Sequence, residues 1–428
     1  MKIKKIIIVQ TYLMFLSIVS YAQNPIKYTI AKWLDNKKAA VSITFDDAIN
    51  GQFTEGLSIL DANNIKGTFF ITSQNVTSQL GSWSLVLKAY RNKHEIANHT
   101  ITHASLANLS EVDINKEITS CNDAIYNNIK SNSQTFAYPN GSGGGDSEAD
   151  IKVRKILKKY FIGARAVGGD FNSYDFFDNE ENYFKVRSPM ISNGDNSSSI
   201  ANKLSGAINA GGWFCPTYHG IENGWIIVPK VLFDQHIKEI LKRKDDIWVS
   251  TFENVIKYHR ERKSANLVIT PNIDNWTLLL NDTLKNDLIW NHPLTIIVDK
   301  PNWIIHKIVQ NNKELSFTDI GNQVMFNAIP DGGTITFQKF DIASLINDVS
   351  SDKSAWLIAP NPANEVMEIL NLENEKNYQI KIYSDNSTIV SNLDLIAKNN
   401  KIDIPIKDYK KGIYYVSISG IVKKVIIQ

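Results

Sequence analysis

At 428 residues the chain exceeds one ordinary domain, and 43% hydrophobic with 21% charged residues excludes disordered, collagen-like and low-complexity classes. The formal net charge of +2 becomes −1 once the first 22 residues, which hold Lys2, Lys4 and Lys5 and no acids, are removed. A nearly neutral chain has no general electrostatic attraction for nucleic acid, so no nucleic-acid partner is expected.

Residues 1–22 read as a secretion signal: a basic start, an apolar stretch interrupted at Gln10 and Thr11, and small residues at Ser20 and Ala22. The alternative is an N-terminal membrane anchor. No other segment has the ~18 uninterrupted apolar residues a stable membrane span needs. Cys121 and Cys215 are far apart in unlike contexts and read as separate buried thiols.

From about Lys37 to Arg262, strand-like runs alternate with helix-like segments. "AAVSITF" and "GTFFI" read as buried strands, and "LSILDANNI" and "SWSLVLKAYRNK" as helices. "HEIANH" is extended, and "SEVDINKEITSCNDAIYNNI" is a helix opened by Ser110 with acids in its first turn. "QTFAYP", "KKYFIGARAV", "GGWFCPTYHG" and "DIWVST" continue the strand series. This alternation predicts an α/β fold, a parallel sheet closing into a distorted (β/α) barrel, with chemistry in the loops after the strand C-terminal ends.

After Arg262 come short alternating strands with Asn, Asp, Pro and Gly turns, predicting two small all-β modules over 264–345 and 355–428. Trp276, Trp290 and Trp303 of the first form either a carbohydrate-binding face or, by default, core packing.

Three sets of polar residues stand at predicted strand ends. Asp46 and Asp47 close "TFDD"; neighbours in a strand face opposite ways, so they share a site only if the chain turns there, and otherwise form a polar turn. His99 and His103 lie four apart in a chain with 8 histidines, a spacing that suits one helix face or a tight loop. One Asp with two His is a common facial set for a divalent ion, leaving positions free for water and substrate. A second Asp can take a proton from that water, and His219 in "CPTYHGI" can protonate a leaving group. "FAYPNG" offers a turn whose backbone N–H can face an oxyanion.

"AAVSITFDDA", "IKGTFFI", "HEIANHTITHASL", "FAYPNG" and "YHG" occur in the order and rough spacing of the polysaccharide deacetylases with a NodB-type domain, carbohydrate esterase family 4. The resemblance covers residues 37–262 and implies a distorted barrel with a divalent metal ion of the Zn2+ type. It implies Asp47, His99 and His103 as metal ligands, Asp46 as general base, His219 as general acid and the Asn140 N–H as an oxyanion donor. Tyr138, Pro139, Arg165, Trp213 and Tyr218 are candidate substrate-binding residues, and Trp225 also flanks the last motif.

Three positions depart from the family pattern. Ala137 stands where an Arg usually orients the base, and Arg165 or Arg187 either restores that charge or is an ordinary surface arginine. The fourth motif, with its Asp and Trp, has no clean match, and Thr217 replaces a Leu. His94, His236 and His259 read as structural, His259 on a solvated basic helix end.

"APNPANEVMEI", "IKIYSDNSTIVSN" and "KGIYYVSISGIVKKVIIQ" resemble the C-terminal sorting domain of type IX secretion, which implies that machinery as a partner and a secreted or outer-surface location. A plain β-sandwich that packs or binds sugar is the alternative. The expected activity is metal-dependent removal of acetyl groups from an acetylated polysaccharide, with N-acetylhexosamine glycans (chitin-like or peptidoglycan) preferred. The alternatives are an O-acetyl, xylan-type esterase and a non-catalytic carbohydrate-binding protein, the latter suggested by the missing Arg.

Overall fold

The computed structural model describes residues 26–339 and 356–428, apart from positions 79, 81, 273–274, 302, 304 and 386. Residues 1–22, read as a secretion signal, therefore lie outside the described residues. Ten short strands come first: β1 (Tyr28–Ile30), β2 (Ala39–Val41), β3 (Thr44–Asp46), β4 (Thr68–Ile71), β5 (Glu95–Asn98), β6 (Thr135–Ala137), β7 (Gly163–Arg165), β8 (Trp213–Phe214), β9 (Thr217–Tyr218) and β10 (Ile247–Val249). Every residue of β2 to β9 is buried, as expected where a parallel sheet is covered on both faces.

The main sheet runs β7–β6–β5–β4–β3–β9 and is parallel throughout. A second parallel sheet, β10–β2–β8, continues it, because β2 and β3 are halves of one bent run and so are β8 and β9. Hydrogen bonds Ser42 N to Phe214 O and Thr44 N to Pro216 O, both 3.0 Å, stitch the two bends together. Between β7 and β9 the circuit is completed by isolated bridges, Arg165–Val186, Gly168–Ser188 and Met190–Thr217, rather than by a full strand. The result is the distorted barrel that the sequence alternation predicts.

Helices α1 (Leu57–Ala62), α2 (Ser73–Ser78), α3 (Trp83–Arg91), α4 (Glu111–Ile129), α5 (Glu148–Leu157), α6 (Ser197–Asn209), α7 (Lys230–Leu241) and α8 (Phe252–Ser264) accompany the strands. In α4 the Ser110 hydroxyl caps the Asp113 N–H, and Glu111 and Asp113 complement the helix dipole. Ile114, Ile118, Cys121, Ile125 and Ile129 recur every three or four residues and form its buried face. Both cysteines are free and buried, and burial pushes each thiol up to about 12. Among the described residues, no helix is long and apolar enough to cross a membrane.

The following β-module forms two antiparallel sheets, one of which includes β1, paired Tyr28 to Val298. A strand that precedes residue 37 thus completes the module expected at 264–345. Its core is continuous with the barrel's: Trp33, Tyr258, Leu294 and Phe326 belong to one cluster. Trp276 and Trp303 are buried, so for them core packing prevails over a sugar-binding face; Trp290 is half-buried beneath the Arg260 guanidinium.

The aromatic residues Trp33, Tyr174, Phe177 and Tyr183 correct the reading of the end of α8. His259 is not on a solvated face: it is buried, bonds the Tyr183 hydroxyl at 2.7 Å, and burial, with Arg262 beside it, pushes it down to about 3. Burial likewise pushes the neighbouring Glu261 up to about 8, although its carboxylate accepts the His292 N–H. A raised folded-state pKa stabilises below the unfolded value and is lost as pH rises through 8. The parent should therefore lose about 4–5 kcal/mol relative to Glu261→Gln between pH 4 and 9, measured by urea denaturation. Equal pH dependence in the two proteins would refute this.

The C-terminal residues form two antiparallel sheets around their own core, with Trp356, Met367, Ile382 and Val416 inside it.

Candidate metal centre and proton-transfer groups

Strand ends and tight turns build the site. Asp46 is the last residue of β3, and Asp47 and Ala48 then take positive φ of 77° and 60°. This left-handed turn re-aims the chain, so the two adjacent carboxylates face one site rather than opposite sides of a strand. His99 follows β5, with its N–H bonded to Ile71 O. The "HTITH" spacing is realised in a loop, not a helix: Thr100 and His103 have φ of 69° and 64°. The Thr100 hydroxyl accepts the His103 N–H, and the Glu117 carboxylate of α4 accepts the N–H groups of Ile101 and Thr102.

Asp47 Oδ1 lies 3.4 Å from His99 Nε2 and 3.3 Å from His103 Nε2. Two atoms each ~2.05 Å from a common tetrahedral centre are ~3.4 Å apart, so these separations fit a zinc-type ion. The donor chemistry fits too. His99 Nδ1 donates to Ala137 O at 2.8 Å, leaving Nε2 with its lone pair, and Asp47 Oδ1 is buried without a hydrogen-bond partner among the described residues. These three residues form the candidate metal cluster found among the described residues.

Electrostatics reinforce the grouping. Burial works against ionisation of Asp47, but the imidazoles close to it, His99 first and then His103 and His219, outweigh it and hold the carboxyl well below its ordinary range. Burial works against the charge on His99, yet Asp46 and Asp47 raise it; burial and neighbouring His99 lower His103.

Asp46 meets the Arg165 guanidinium, whose Nη2 donates to both carboxylate oxygens. Of the two arginines weighed in the sequence, Arg165 at the end of β7 takes the position beside Asp46. Arg187 instead stacks over Phe176 at 4.7 Å. Arg165 is 1% exposed, so the expectation that it touches substrate is corrected: it positions a carboxylate. His219 Nε2 stands 3.9 Å from Asp46 Oδ2, and burial holds the imidazole below its usual range despite the two nearby acids.

Other substrate candidates are corrected by burial. Trp213 sits in β8 with Nε1 bonded to Ser42 Oγ, packed on Phe177 and Phe252. Tyr218 in β9 packs on Phe45 and Phe233 and bonds His236. Tyr138 is buried with its hydroxyl on Phe184 O, and Pro139 is buried beside it. Asn140 is exposed at φ 54°, its amide donating to Ser105 Oγ.

Sequence reasoning missed Gln52. Its buried amide donates to the backbone carbonyls of both Asp46 (2.5 Å) and His219 (2.9 Å), tying the two segments together. A lone glutamine in a helix carries no signal for that role.

The molecule is thus an α/β protein whose parallel strand ends gather a candidate divalent-metal site beside an Arg-held carboxylate and a buried histidine. Residues 34–160 match the polysaccharide deacetylase family, and residues 357–428 match the secretion system C-terminal sorting domain. The chain thus contains a region that matches the polysaccharide deacetylases (carbohydrate esterase family 4, NodB type) and a C-terminal region that matches that sorting domain. It is similar to a gellan lyase of Bacillus sp, 25% identical over 354 residues, covering 75% of this chain and 14% of that protein. A protein of Arthroderma benhamiae named "Probable peptidoglycan-N-acetylglucosamine deacetylase" is 39% identical over 88 residues, covering 21% of this chain and 20% of the relative. A chitin deacetylase of Pestalotiopsis sp is 34% identical over 84 residues, covering 20% and 28%. The chain therefore spans less than a third of the length of each of these relatives.

Proposed function

We propose that the protein is a secreted, Zn2+-type metal-dependent deacetylase that hydrolyses acetyl groups on a polysaccharide, with N-acetylhexosamine glycans preferred. The observation that carries this reading is the convergence of Asp47, His99 and His103 beside the Asp46–Arg165 pair and His219. The names of the shorter-range relatives, peptidoglycan-N-acetylglucosamine and chitin deacetylases, support the substrate class.

Asp47 Oδ1 and the Nε2 atoms of His99 and His103 would hold the ion. When bound, a divalent ion supplies Lewis-acid polarisation of the acetyl carbonyl and a more acidic water. Asp46, fixed by Arg165, accepts the proton of the attacking water. His219 Nε2 delivers a proton to the departing amine; its depressed pKa makes its imidazolium a stronger acid toward that poor leaving group. The Asn140 backbone N–H shares the charge of the tetrahedral oxyanion. The Asp46–Arg165 pair removes the missing-Arg argument for a non-catalytic carbohydrate-binding protein. Export by type IX secretion, to the outer surface or beyond, follows from the sorting domain and the N-terminal signal reading.

Acetate release from chitin oligosaccharides, peptidoglycan and acetylated xylan, with metal and after chelation, tests the reading. Asp46→Asn should lower release by about 10²- to 10⁴-fold. Glycan binding without acetate release would instead establish a carbohydrate-binding protein, and release from xylan alone would reverse the substrate choice.

A further inference from the structure

The loop from Gly220 to Val228 is internally hydrogen-bonded and carries backbone strain. It is closed by Gly220 N to Trp225 O (2.9 Å) and Val228 N to Gly220 O (2.8 Å), and is tied to the segment after Asp47 by Gly51 N to Asn223 Oδ1 (3.1 Å). Gly51 is required there, since a Cβ would fall 1.7 Å from Ile221 O. Ile226 has a φ of 45°, a region that β-branched residues avoid and that costs about 1–3 kcal/mol. Such strain persists only where the surroundings impose it, and the residue beside it is Trp225.

Trp225 is 47% exposed, yet its indole Nε1 donates to Asp47 Oδ2 at 2.8 Å. Its ring centroid lies 4.2 Å from that of His219, at an interplanar angle of 54°. Asp47 therefore has one oxygen committed to the indole and the other, without a hydrogen-bond partner among the described residues, facing His99 and His103. The indole thus packs against His219 while remaining 47% exposed, close to where a sugar leaving group would have to sit.

We propose that Trp225 has two roles: its N–H fixes Asp47 so that Oδ1 alone is offered to the cation, and its exposed face seats the sugar ring that bears the acetyl group. This rests on the metal-dependent deacetylase reading. It makes Trp225 a positioning residue for the metal ligand and a specificity-determining contact for a pyranose substrate.

Two variants of the full-length chain separate the roles. Trp225→Phe keeps an aromatic face and removes the N–H; Trp225→Leu removes both. Cobalt(II) titration followed by visible absorption reads the metal centre, and KM for a chitin oligosaccharide reads the sugar contact. Trp225→Phe should bind cobalt about 10- to 100-fold more weakly, with an altered absorption band and KM within about twofold of the parent. Trp225→Leu should show the same cobalt defect and a KM raised by about 10-fold. Parental cobalt affinity and spectrum in Trp225→Phe would overturn the positioning role, and an unchanged KM in Trp225→Leu would overturn the sugar contact. A parent chain that binds no cobalt would overturn the metal-centre reading and this inference with it.

Discussion

Asp47→Ala should abolish measurable acetate release, a fall on the order of 10³-fold or more, because the substitution removes the carboxylate of the ligand set and the charge next to it. One buried and one half-buried imidazole, His99 and His103, would remain with a cavity where a compensating anion had stood. The loss should be visible without any assay of turnover. Purified parent should hold about one equivalent of zinc by elemental analysis and lose thermal stability on chelation, since a ligand bound to the folded state stabilises it by mass action. Asp47→Ala should hold none, and its melting temperature should not respond to chelator. His99→Ala should behave in the same way, whereas His103→Ala, which removes a half-buried ligand, should retain weak binding. Full zinc occupancy in Asp47→Ala would place the ion elsewhere and end the mechanism proposed for this site.

Much of this site is readable from sequence because strand-end chemistry is local. The alternation of apolar runs and helix patterns gives the parallel sheet, and residues just past each strand fall on one face of it. That rule singles out Asp46, Asp47, His99 and His219 as candidates, and their combination and the family resemblance supply the expected roles. What is not readable depends on contacts made far along the chain. Trp213 and Tyr218 look like a sugar platform beside the last motif, but they belong to two-residue strands, β8 and β9, at the bend between two sheets, and are buried there. His259 looks solvated in "KYHRERK" because nothing local announces that Trp33, Tyr174, Phe177 and Tyr183 close around it, and Glu261 because nothing announces that it accepts the His292 N–H from the following module. Trp225 could be noticed as an aromatic near the motif, but its bond to Asp47 spans 178 residues. Arg165 lies between the two cases. Its place at the end of a strand was visible, while its choice of Asp46 over solvent required β7 to lie four strands from β3 in a curved sheet.

Arg165→Ala carries the second large effect. The Arg165 guanidinium satisfies both oxygens of Asp46 and lies 5.2 Å from the Phe70 ring, so it fixes the base in place from below the site. Its loss should lower kcat by about 10²-fold, the lower end of what a positioned proton acceptor contributes. KM for the glycan should stay within about twofold, because a 1% exposed side chain has no surface to offer substrate. Leaving a buried carboxylate uncompensated also costs about 3–5 kcal/mol of stability, so the folded state of the variant has to be checked by circular dichroism. Two controls keep the kinetic result separate from unfolding. Arg165→Lys retains the charge without the two-oxygen geometry and should fall between parent and Arg165→Ala in kcat. Added guanidinium ion, at concentrations too low to denature, should restore part of the activity of Arg165→Ala and none of that lost in Asp46→Asn. A folded Arg165→Ala with parental kcat would show that Asp46 needs no partner. A raised KM with unchanged kcat would return Arg165 to the substrate-binding role that its sequence position first suggested.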